Sequence, residues 1–141
     1  MKRFRMLVIL AVLTIGLLIL NVQPASAVPP LPSSFYGTVK LNGANVPAGT
    51  VIHAYINGVE YAHETDLTYL GDTVYSIDVP GEDTDTPGTQ GGVEGNTVVF
   101  SIGPIQVPQT GVWHTGTNIN LNLTGTGTLP AFTIFLPLVR R

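Results

Sequence analysis

The sequence predicts an all-β domain built as one antiparallel sandwich. Three observations point to it. From Phe35 onward apolar residues recur with a period of two. An Asn-Gly pair separates two β-rich runs, the strongest short-range hairpin signal. The chain's sixteen glycines and eleven prolines punctuate short runs, with no helical pattern after residue 27.

The elements follow in order. Val28 to Ser34 carries three prolines and reads as an extended linker. The expected domain spans residues 35–124. Phe35, Val39 and Leu41 share one strand face, and Tyr36, Thr38 and Lys40 the other. Asn42-Gly43 and Pro47-Ala48-Gly49 make the next turn. Thr50 to Ile56 and Val59 to Thr65 flank Asn57-Gly58, where a type I′ turn needs positive φ at both central residues. Thr73 to Val79 sets Tyr75, Ile77 and Val79 against Val74, Ser76 and Asp78, and Asn96 to Ile102 sets Val98, Phe100 and Ile102 on one face. Ile105 to Trp113 reads as a strand interrupted by Pro108. Ile119, Leu121 and Leu123 alternate with Asn118, Asn120 and Asn122. Six or seven strands suffice for two packed sheets of immunoglobulin-like or transthyretin-like kind.

Residues 1–27 read as a secretory signal. Lys2, Arg3 and Arg5 precede the apolar run Met6 to Leu20, and Ala25-Ser26-Ala27 is a small-x-small cleavage site. The run falls short of the roughly 20 residues that span a bilayer core. The expected mature chain starts at Val28, carries no transmembrane span and is secreted or held at the cell surface.

Tyr36-Gly37-Thr38-Val39, Asn42-Gly43, Val46-Pro47-Ala48-Gly49-Thr50-Val51 and Ala54-Tyr55-Ile56-Asn57-Gly58 together resemble a small β-sandwich module of exported bacterial proteins. Tyr75 to Gly81, Gly95 to Phe100 and Trp113 to Gly116 fit the same pattern. The resemblance is to carboxypeptidase-regulatory-like domains. It implies a sandwich fold and an accessory role, and it brings no catalytic residue.

Composition narrows the function classes. Without cysteine there is no disulfide, thiolate metal site or cysteine nucleophile. After the signal, Lys40, Arg140 and Arg141 stand against all nine acids. That balance speaks against nucleic acid, whose binding rests on clustered Lys and Arg. No Gly-x-Ser-x-Gly occurs, and the densest group of acids, four of the nine, lies in one loop rather than on facing strands, so an enzyme is not expected.

That loop, Pro80 to Gly95, is the densest candidate site. From Asp83, acids fall at positions 1, 3 and 12 (Asp83, Asp85, Glu94) and Gly88 at 6, which is most of an EF-hand spacing. Pro87 stands where an oxygen donor belongs. A solvated acidic loop with no cofactor is the expected reading, and calcium held by Asp83, Asp85 and Glu94 is its one alternative. Trp113 and Tyr55 are the candidate ligand-binding rings, with core packing as the alternative. For the histidines, unbroken alternation from Asn57-Gly58 sets His53 opposite Ala62 and His63 opposite Ile52. The two imidazoles are then expected on opposite faces, His63 on the core side, where they cannot share an ion. His114 reads as a turn or rim residue.

Residues 125–131 read as a linker and residues 132–141 as an apolar tail ending in Arg140-Arg141. The tail is either a docking strand or a last strand that Pro137 confines to an edge. The expected function is a secreted, non-enzymatic structural or interaction module. Its partner is an extracellular protein or cell-envelope component. The alternative is a carbohydrate-binding module for a polysaccharide, stabilised by calcium.

Overall fold

The computed structural model describes residues 30–83, 85–86 and 90–130. The segment expected to be a signal (residues 1–27) and the apolar tail (residues 132–141) lie outside them. The described chain is all-β and consists of two packed sheets. Its strands are β1 (Ser33–Leu41), β2 (Ala44–Asn45), β3 (Val51–Ile56), β4 (Val59–Thr65), β5 (Leu67–Tyr69), β6 (Asp72–Val79), β7 (Thr97–Ile102), β8 (Ile105–Val112), β9 (Asn118–Asn120) and β10 (Leu123–Gly125). One sheet runs β10-β1-β6-β5, with β2 and β9 also paired to β1. The other runs β4-β3-β7-β8.

The core is what the alternation predicts. Phe35, Val39, Tyr75, Ile77 and Val79 of the first sheet meet Ile52, Ala54, Ile56, Val98, Phe100 and Ile102 of the second, all buried. Phe100 sits edge-on to Phe35, with ring centroids 5.2 Å apart. Packing of this kind holds the domain without a disulfide.

Several expectations need correction. Among the described residues there are ten strands rather than six or seven, because β2 and β5 are too short to show a period and one expected strand is split. The strand expected around Ile119 to Leu123 is two pieces, and both run parallel to β1: Tyr36 faces Asn120, and Val39 faces Leu123. Between them the side chain of Asn122 replaces a ladder bond, its Oδ1 accepting from the Thr38 amide at 2.9 Å. The sandwich is therefore antiparallel except along this edge. The proline-rich linker is also shorter than expected, since Ser33 and Ser34 already pair with Val79 and Asp78. Nor is the segment after β10 a free linker. Asn42 exchanges two hydrogen bonds with Gly127, and Leu129 packs against the core. Pro108 lies inside β8, an edge strand, where the register with β7 shifts and its missing N–H is tolerated.

The Asn57-Gly58 turn forms as predicted, with φ of 52° and 79°. A Cβ at Gly58 would meet nothing within 4 Å, so a side chain there costs backbone strain alone. Gly58→Val is expected to destabilise the domain by more than about 1 kcal/mol, because a β-branched residue resists positive φ. Equilibrium urea unfolding measures it, and an unchanged midpoint would argue against this turn.

Candidate functional site

β3 and β4 form the hairpin predicted, but not in the register that simple alternation gives. Ile56 pairs with Val59 and Tyr55 with Glu60. The register then slips, and Ala54 pairs with Ala62 and His53 with His63. Tyr61 is the extra residue of a β-bulge on an edge strand, a usual place for one. The bulge has a packing reason. It lets Tyr61 and Ala62, adjacent in sequence, both lie against the core. An imidazole that regular pairing would have buried opposite Ile52 is turned out into water.

The expectation for the histidines is thereby overturned. His53 and His63 lie side by side on the outer face of the second sheet, ring centroids 5.9 Å apart. Glu60 lies between them, its Oε1 3.2 Å from His53 Nδ1 and 2.8 Å from His63 Nδ1. The hydrogen bond with His53 first, and that with His63 after it, hold the Glu60 carboxyl below the usual carboxylate range. His63 is two-thirds exposed and His53 about one-quarter. Tyr55 stacks beside His53 at 6.2 Å.

Two adjoining open hollows of about 410 Å³ each continue this face, sharing Tyr55, Gly103 and Pro104. His53 and Leu129 line the first, and Ser101 and Gln106 the second. Tyr55 thus stands on an accessible face, as a ligand-binding ring must. Trp113 does not. It is 1% exposed, and its indole N–H donates to the Val79 carbonyl at 3.0 Å. Burial with a satisfied N–H removes it from any binding platform.

The acidic loop uses its carboxylates as staples. Glu82 Oε2 accepts from the amides of Gln90 and Gly91. Asp83 accepts from the Thr86 hydroxyl and the Asp85 amide, which hold its carboxyl below the usual range. Glu94 accepts from the Thr115 amide at 2.8 Å and meets His114 Nδ1 at 2.6 Å, and its carboxyl is lowered too, chiefly by the Thr115 amide. Glu94 is thereby tied to the turn after Trp113, and Asp83 and Asp85 to each other. Among the described residues, the only group of three His, Asp or Glu with donor atoms close enough to share an ion is His53, Glu60 and His63. The EF-hand-like spacing does not gather Asp83, Asp85 and Glu94 in that way. His114 is a rim residue, as expected.

The other sheet offers a different surface. Tyr36 and Tyr69 are 41% and 65% exposed. With Ser76, Asn120 and Asn122 they border a hollow of about 440 Å³. The sequence offers both rings as candidates for a sugar platform but does not pair them, because Tyr69 belongs to the short β5, whose place beside β6 no periodicity signals.

Asp66, buried between β4 and β5, accepts from the Gly49 amide at 2.8 Å, and desolvation raises its pKa. Its Oδ2 has no partner among the described residues. Comparison with protein-family models, curated proteins and solved structures found no match, so the resemblance to carboxypeptidase-regulatory-like domains rests on the sequence motifs alone.

Proposed function

We propose that this chain is an exported, non-enzymatic interaction module that presents the outer face of the β4-β3-β7-β8 sheet to an extracellular protein or cell-envelope component. The observation that carries this reading is the pair of adjoining hollows around Tyr55. They combine an apolar floor from Val51, Val99 and Pro104 with polar groups from Ser101 and Gln106. A face of this composition suits a partner surface of mixed polarity. The signal-like residues 1–27 support export.

A photo-reactive phenylalanine analogue at Tyr55 tests the proposal in the producing cell. A crosslinked species of discrete mass is expected, with none from the same probe at Tyr36 on the opposite sheet. Adducts from Tyr36 and none from Tyr55 would transfer the interface to the other sheet.

A carbohydrate-binding role is the second reading, favoured by the exposed Tyr36 and Tyr69 rings beside Asn120 and Ser76. Sugars stack on such rings while flanking amides and hydroxyls accept and donate hydrogen bonds. Saturable binding on a glycan array that disappears in Tyr36→Ala and Tyr69→Ala would establish it in place of the first.

A further inference from the structure

We propose that His53, Glu60 and His63 form a binding site for a divalent transition-metal cation of the zinc class, on the outer face of the β3–β4 hairpin. The inference goes beyond the interaction role and does not depend on it.

The geometry comes first. One ligand atom from each of the three residues lies within 4.8 Å of the other two. The shortest separations, 2.8 and 3.2 Å, run from Glu60 Oε1 to the two Nδ1 atoms. Zinc sits about 2.0–2.2 Å from imidazole nitrogen and carboxylate oxygen, which for tetrahedral bonds sets donors roughly 3.3 Å apart. Small shifts of two partly exposed side chains reach that spacing. In the free protein a proton between each imidazole and Glu60 holds the cluster together. The cation would take the place of those Nδ1 protons, each neutral imidazole then carrying its proton on Nε2, and its charge would offset the carboxylate.

Chemistry selects the ion. Two imidazoles and one carboxylate suit zinc, copper or nickel, whereas calcium takes six to eight oxygens and magnesium keeps oxygen and water around it. Three protein donors leave a coordination position open. His53 also lines the first hollow, next to which such a position would lie.

The bulge makes the site possible. Glu60 and His63 are three apart in sequence, and regular alternation would send them to opposite faces. Tyr61 takes up the odd residue, so both side chains emerge beside His53. Bulges often re-aim a side chain in this way at functional positions.

Calorimetric titration of the purified full chain with zinc chloride tests the proposal. One equivalent is expected to bind, and calcium at the same concentration is expected to give no heat. His63→Ala and His53→Ala should each weaken zinc binding at least tenfold, and Glu60→Gln should weaken it too. His114→Ala, on the far turn, should leave it unchanged. His63 is largely exposed, so its variant should keep the parent melting temperature without metal, which separates loss of a ligand from loss of the fold. Absence of zinc binding at 100 times the protein concentration would overturn the site. So would binding that His63→Ala and His53→Ala leave intact.

Discussion

Trp113→Ala is expected to be among the most damaging single substitutions in the domain, at about 3–5 kcal/mol, the usual range for removing a large buried aromatic side chain. The ring is enclosed from several directions. Gly81 and Gly92 lie against it so closely that a Cβ on either would fall within 3 Å of a ring atom. Those two glycines form a bridge of their own, which closes the base of the acidic loop. The Trp113 amide donates to Asn96, and its carbonyl accepts from Gly95. Truncation therefore leaves a cavity, frees the neck of the loop and strands the Val79 carbonyl that the indole satisfied. An unsatisfied buried acceptor adds about 1–3 kcal/mol where water cannot reach it. Because the variant lacks the tryptophan, circular dichroism during urea unfolding is the suitable measurement. Trp113→Phe keeps part of the apolar volume but loses the N–H and some of the ring's bulk, so it should fall between the parent and Trp113→Ala. A loss below 1 kcal/mol for Trp113→Ala would mean the ring is not the packing centre it is here.

Gly111→Val is expected to cost about 1–3 kcal/mol or more by overpacking. Gly111 faces Val98 across the β7–β8 ladder. A Cβ there would stand 2.2 Å from Cε1 of Phe35, a fully buried ring. That ring is also held edge-on by Phe100 and cannot retreat without disturbing the contact between the sheets. The cause can be isolated by a double-mutant cycle. If the clash is with Phe35, Gly111→Val should cost less in a Phe35→Leu background than in the parent, giving a non-additivity of about 0.5–3 kcal/mol. Strict additivity would place the strain elsewhere.

The legible parts of this protein are those whose cause lies within a few residues of chain. Alternation of Phe35, Val39, Tyr75, Ile77, Val98 and Phe100 fixes which side chains enter the core, because successive strand residues point to opposite faces. Asn57-Gly58 fixes the hairpin, because those two residues tolerate the positive φ that the turn demands. Tertiary structure alone decided the rest. The burial of Trp113 depends on Gly81, Gly92 and Val79, which sit far from it along the chain. The pairing of β9 and β10 with β1 joins opposite ends of the domain. Above all, the slip at Tyr61 answers to the core beneath β4, which draws in Tyr61 and Ala62 together and leaves water to His63. A pattern of period two assumes unbroken pairing, and one inserted residue reverses the face of everything after it. That is why the sequence places His53 and His63 apart, and the folded hairpin sets them on either side of Glu60.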